Sequence, residues 1–163
     1  MRVNSFVLSC WLAACSGTVL GQDWKPQRVV GLDYPAIARG TALEGIVVVK
    51  CRLDGEGKVT AAEVRLESKS NRTLESLRNA AIENAKKWRF MKTPESGTKE
   101  SEALLRYQFK LSGITRSTPR QEFAFEYPDT VTIVSEIPCL DHAPCSEEEL
   151  KRHRERRNSL PIP

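Results

Sequence analysis

Gly45-Ile46-Val47-Val48-Val49-Lys50-Cys51-Arg52-Leu53-Asp54, running into Gly55-Glu56-Gly57, is the stretch on which the fold turns. Val47, Val49, Cys51 and Leu53 alternate with Ile46, Val48, Lys50 and Arg52. A period of two, rich in β-branched residues, puts one apolar face on a strand, here residues 44–54. Asp54-Gly55-Glu56-Gly57 reads as a turn, because glycine reaches positive φ without a steric cost. Residues 58–68 return as a second strand, with Val59, Ala61 and Glu63 alternating against Thr60, Ala62 and Val64. Together they form a β-hairpin.

The flanks of the hairpin are helical. Tyr34-Pro35 opens a short helix over residues 35–41, since proline suits a first turn whose N–H has no partner, and Gly40 helps to end it. Downstream, Leu74, Leu77, Ala81, Ala85 and Trp88 recur at steps of three and four, an apolar stripe on a helix over residues 73–89 that Asn71 or Thr73 caps. A loop follows at 91–101, broken by Pro94 and Gly97, and then a strand at 102–111. The order α-β-β-α-β predicts an α+β domain over residues 34–111: a small, mainly antiparallel sheet with one long helix packed on it. Residues 22–33 read as a short leader and 112–163 as a C-terminal extension. Within the extension, 112–120 is a polar linker, and 122–137 is extended and interrupted at Pro128-Asp129. Residues 146–157 form a short helix with a Ser146/Glu149 capping box. Its basic run, Lys151 to Arg157, lies toward the negative dipole end and reads as a solvated helix end, with contact to an anionic surface as the alternative.

The chain has 163 residues, 40% of them hydrophobic, and a formal net charge of +4. That suits one domain with appendages, and the small excess of positive charge does not point to nucleic acid. After Arg2, residues 3–22 carry no charge, and Val3, Phe6, Val7, Leu8, Trp11, Leu12, Ala13 and Ala14 are apolar, as in a secretory signal peptide. Three exits remain open. Leu12-Ala13-Ala14-Cys15 resembles a lipobox, which lipidates Cys15 after a signal of residues 1–14. Val19-Leu20-Gly21 resembles an ordinary cleavage site that ends a signal of residues 1–21. An uncleaved anchor is the third, although a spanning helix needs about 20 mostly apolar residues. Each exit predicts export from the cytoplasm.

Tyr34-Pro35, the strand from Gly45 to Asp54, Gly57-Lys58-Val59 and the helix closing on Trp88-Arg89-Phe90 together resemble the C-terminal domain of TonB. Their order and spacing over about half of the chain carry the resemblance. Tyr34, Pro35, Gly45, Asp54, Gly57, Trp88, Arg89 and Phe90 are the family-type positions, mostly scaffold by their chemistry. The resemblance implies a non-enzymatic module in the periplasm or cell envelope of a Gram-negative-type bacterium. Its partner would be a protein, an outer-membrane receptor or another envelope protein, which supplies an extended segment as an added strand. The accepting edge it implies is the last strand: Leu104, Leu105, Arg106, Tyr107, Gln108, Phe109, Lys110 and Leu111. The alternative is an envelope lipoprotein that keeps the fold in a structural or assembly role without energy transduction. An energy transducer would carry an inner-membrane helix with a functional histidine and a long spacer. Here no histidine precedes His142, and residues 22–33 extend to about 40 Å. The alternation of 123–134 further suggests that the extension pairs in cis with the accepting edge.

The residues show no catalytic constellation. His142 and His153 are the two histidines, both in the extension, so a Cys/His or Ser/His/Asp set is not expected, and no glycine loop suits phosphate. No cofactor is implied. Cys139-Leu-Asp-His142-Ala-Pro-Cys145 leaves three readings open: a Cys139–Cys145 disulfide, suited to an exported chain, free thiols, or a metal site. Cys51, on the apolar strand face, reads as an inert core thiol.

Overall fold

The computed structural model describes residues 24–65, 75–93, 102–139 and 146–159. The expected signal region with Cys15, the candidate caps Asn71 and Thr73, His142 and Cys145 lie outside them. The elements are β1 (Trp24–Arg28), α1 (Ala36–Gly40), β2 (Gly45–Leu53), β3 (Val59–Val64) and α2 (Glu75–Ala85). They continue with β4 (Arg89–Lys92), β5 (Glu102–Thr115), β6 (Gln121–Glu126), β7 (Thr130–Pro138) and α3 (Glu147–Ser159). The fold is α+β, as the sequence predicts.

The main sheet has the order β3-β2-β5-β7-β6, and β1 and β4 form a separate antiparallel ribbon. All pairs in the main sheet are antiparallel except β5 with β7. After β5 the chain steps past one strand position to lay down β6, and β7 then returns into the gap. The β2–β3 hairpin forms as its alternation predicts, with a register irregularity at Arg52/Leu53. Asp54 organises the turn, its Oδ1 accepting from the backbone N–H of Glu56 and of Lys58.

One face of the sheet is covered by helices: α2 packs on β2, β3 and β5, and α1 on β7. Val47, Val49, Cys51, Leu105, Tyr107, Phe109, Val131 and Ile133 point into that layer and are buried. From α2, Leu77, Ala81 and Ala85 meet them, as the predicted stripe requires. The Tyr34 and Phe109 rings pack edge to face, and the Tyr34 hydroxyl donates to Leu43 O.

Several boundaries differ from the sequence reading. α1 closes in a Schellman arrangement, Leu43 N–H to Ala38 O and Ala42 N–H to Arg39 O, and the residue with positive φ is Ala42, not Gly40. α2 stops at Ala85, and Arg89–Lys92, expected as helix end and loop, are the strand β4. Its partner β1 lies in the stretch read as a leader, where Trp24 is buried. β5 runs on to Thr115, through the start of the expected linker. In α3 the Ser146 Oγ accepts from the Glu149 N–H, the half of the predicted capping box that caps the helix backbone. Leu150 anchors this helix in the core.

The extension is therefore not an appendage. Val131, Ile133 and Ile137 are fully buried, Phe125 meets the Trp88 ring edge to face at 5.4 Å, and Gln121 Oε1 accepts from the Tyr34 N–H. β6 and β7 complete the core that the preceding elements leave open.

Candidate functional site: the edges of the sheet

A strand-accepting site needs a row of backbone groups without a partner. The expected row, Leu104 to Leu111, does not offer one. β2 pairs along one side of β5, from Arg52↔Glu102 to Gly45↔Phe109. β7 pairs along the other, from Arg106↔Thr130 to Thr115↔Pro138. β5 is an interior strand. Leu105, Tyr107, Phe109 and Leu111 face the core, while Arg106 and Lys110 are exposed on the far face of the sheet with half-buried Leu104 and Gln108. The free accepting edge is thus corrected over Arg106 to Leu111, where the chain's own β7 occupies it. Of the extended stretch, Thr130 to Val134 belong to this ladder, whereas Phe123 to Glu126 pair with β7 from its other side.

The edges of the main sheet are β3 and β6. On β3, Arg65 N–H donates to Val48 O, so in the antiparallel alternation Glu63 also faces β2 and Ala62 and Val64 turn their backbone groups outward. On β6, Glu136 N–H donates to Arg120 O, so Glu122, Ala124 and Glu126 face β7. Gln121, Phe123 and Phe125 then present N–H and C=O to the outside. All of β6 except Phe125 is exposed.

The family-type residues hold the scaffold together. The Trp88 ring stacks on Phe90, and its Nε1–H donates to Asn84 Oδ1 at 2.9 Å. Phe90 N–H donates to Gly57 O, and Arg89 bridges to Lys58, which ties the β1–β4 ribbon to the hairpin turn. Pro35 is the N-cap of α1 and Gly45 opens β2. Asn84 was not singled out by sequence, yet it is buried and makes four side-chain hydrogen bonds, to Trp88, Tyr107, Val30 and Gly31. One polar residue interleaved with an apolar stripe was the available signal.

The titratable groups of the core do not suit catalysis. Burial pushes the Cys51 thiol up to about 12. Burial, and then Cys51, likewise raise the Tyr107 phenol. A thiol held protonated is a poor nucleophile. Among the described residues Cys51 is the free cysteine, and no group of histidine, cysteine and acidic residues is placed to hold a metal. Cys139 is disulfide-bonded. Cys51 in the native chain is expected to resist thiol reagents and to react only at the rate of global unfolding. The folded chain holds the Cys51 proton more tightly than the unfolded chain, whose thiol titrates near 9.0. Stability should therefore fall as pH rises from about 9 toward about 12, and Cys51→Ala should remove that share of the slope. Urea unfolding at a series of alkaline pH values measures this.

Residues 30–111 match the family described as the Gram-negative bacterial TonB protein C-terminal. The chain belongs to this family. The solution NMR structure of the Pseudomonas aeruginosa TonB C-terminal domain is 25% identical, over 55% of this chain and 88% of that one, with a TM-score of 0.40. No curated protein matches the chain. Family members act in the periplasm of Gram-negative bacteria as modules that meet envelope proteins. Among the described residues no helix is long and apolar enough to cross a membrane.

Proposed function

We propose that this chain is a periplasmic TonB-like module that binds an envelope protein without taking it as a strand beside β5. The observation that carries this reading is the parallel β5–β7 ladder. A receptor segment entering there must lift β7 away and expose Val131, Ile133 and Ile137. At 1.5–3 kcal/mol for each large apolar side chain, that costs about 5–9 kcal/mol. A domain of this size has a total stability of the same order. A short added strand does not repay such a cost, so the partner meets another surface. Of the edges the main sheet leaves open, β3 suits it best, because it belongs to the part of the chain that defines the family. The module is not an enzyme, and Cys139 pairs with Cys145.

The test is a β5–β7 ladder that cannot open. Gln108 and Thr132 face one another in the β5–β7 register, so Gln108→Cys/Thr132→Cys offers a disulfide across it. Receptors of the outer membrane are offered to the locked and the reduced chain. Capture that survives locking supports the proposal, and capture lost on locking and regained on reduction would falsify it. Failure of both forms to capture any receptor favours the second reading, an envelope lipoprotein in a structural role. Palmitate labelling at Cys15 would add to that.

A further inference from the structure

We infer that the β6 edge pairs with the β6 edge of a second copy of this chain, joining two five-stranded sheets into one. The argument does not depend on the function proposed above. It begins with the backbone. Gln121, Phe123 and Phe125 turn their N–H and C=O groups away from β7, and no other described strand pairs with them. An antiparallel neighbour is satisfied at those three positions if its own outward-facing residues stand opposite.

The residues of the edge, Arg120-Gln121-Glu122-Phe123-Ala124-Phe125-Glu126, then choose the register. A two-fold axis normal to the sheet keeps the helix-covered faces of both copies on the same side, so opposed residues share a face. Centred on Phe123, the pairing sets Phe123 against its own copy and Gln121 against Phe125. Arg120 falls opposite Glu126 at both ends, and Glu122 opposite Ala124. Every outward backbone group of the strand finds a partner. Both charged pairs are of opposite sign, which favours cross-strand association. Centred on Ala124, the same edge would oppose Glu122 to Glu126 twice. Centred on Phe125, it runs out of strand at Tyr127-Pro128.

The side chains are free to act in this way. Arg120, Glu122 and Glu126 are exposed, and no ion pair among the described residues holds Arg120 or Glu126. Phe123 is 37% exposed although it lies on the core side of the sheet, because β6 has no outer neighbour. A second copy covers it with another Phe123. An isolated edge with exposed phenylalanine invites pairing unless charge prevents it. Here the charges at the two ends select one antiparallel register rather than block the edge. The contact is small by the standard of stable dimers, so association in the micromolar range or weaker is expected.

Sedimentation equilibrium of the purified full chain, up to about 1 mM, reads the association. Wild type is expected to show a monomer–dimer equilibrium. Glu126→Arg places like charges opposite Arg120 at both ends and should weaken it about tenfold or more. Arg120→Glu/Glu126→Arg restores opposite charges and should recover most of the loss. Phe123→Pro removes an N–H that points outward, so it spares the β7 ladder and should abolish the dimer. Circular dichroism and thermal unfolding should match wild type in Glu126→Arg, whereas the double variant sets a second carboxylate opposite Glu136 and should keep the fold but unfold at a slightly lower temperature. A chain that stays monomeric over the whole range overturns the inference. So does self-association that none of these substitutions changes, or a double variant no tighter than Glu126→Arg.

Discussion

Gly57→Ala is expected to cost about 4 kcal/mol or more and to lower the melting temperature by at least about 10 °C. Gly57 has φ +75, a conformation that costs residues with a Cβ roughly 1–2 kcal/mol. The larger effect is spatial. A Cβ built there lies 1.8 Å from Phe90 O and 2.7 Å from Phe90 C, with the Trp24 ring at 3.3 Å. A side chain in the way would rotate, but these first two atoms are backbone. They are held close because Phe90 N–H donates to Gly57 O and Lys58 bridges to Arg89. Relieving the clash therefore breaks the junction between the hairpin turn and the β1–β4 ribbon and uncovers Trp24 and Phe90. Gly55→Ala is the control, since nothing lies within 4 Å of a Cβ there. Thermal denaturation of both variants should show a large loss for one and a change of less than about 1 kcal/mol for the other. Equal losses would show that turn flexibility matters and the close approach does not.

That contrast marks how far the sequence was legible. Val47, Val49, Cys51 and Leu53 announced β2 because local alternation and burial agree there, and the α2 stripe was equally plain for the same reason. The β1–β4 ribbon was not legible. Trp24-Lys25-Pro26-Gln27-Arg28 and Arg89-Phe90-Met91-Lys92 are too short to show a period, and each gains its strand conformation from the other across more than sixty residues. The α1 cap misled because Gly40 is the better candidate for positive φ, while hydrogen bonds from Ala42 and Leu43 placed the left-handed residue two positions later. The candidate site divides in the same way. That residues 130–137 form a strand is visible in Val131, Ile133 and Ile137. Which strand it joins is a long-range choice, decided by the apolar row of Tyr107 and Phe109 that β7 covers with Val131 and Ile133. Family resemblance alone located the accepting edge on β5, and the residues beyond the matched region filled it.

Asn84→Leu is expected to destabilise the chain by at least about 4 kcal/mol, although leucine is apolar and suits a helix facing a core. Asn84 has two acceptor sites and two donors, and all four are used. Its Oδ1 accepts from Trp88 Nε1–H and from the Tyr107 hydroxyl, both at 2.9 Å. Its Nδ2 donates to Val30 O at 3.1 Å and to Gly31 O at 2.9 Å. One side chain thus binds α2 to the start of the domain, to β5 and to the aromatic cluster. Leucine leaves two buried donors and two carbonyls unsatisfied, at about 1–3 kcal/mol each where water does not reach them. Asn84→Asp separates this loss from a simple packing defect. The carboxylate can still accept from Trp88 and Tyr107, but it faces the carbonyls of Val30 and Gly31 with no proton to donate. Protonated, it regains a donor. Burial and the two carbonyls favour that neutral form, so the folded chain holds the proton more tightly than the unfolded one. The stability of Asn84→Asp should therefore fall as pH rises above about 4, the value of a free aspartate. Asn84→Leu has no such group, and its deficit relative to wild type should stay constant. Urea unfolding of all three proteins between about pH 4 and pH 7 measures the difference. Parallel curves for the two variants would mean that Asn84 fills space and that its donors to Val30 and Gly31 contribute little.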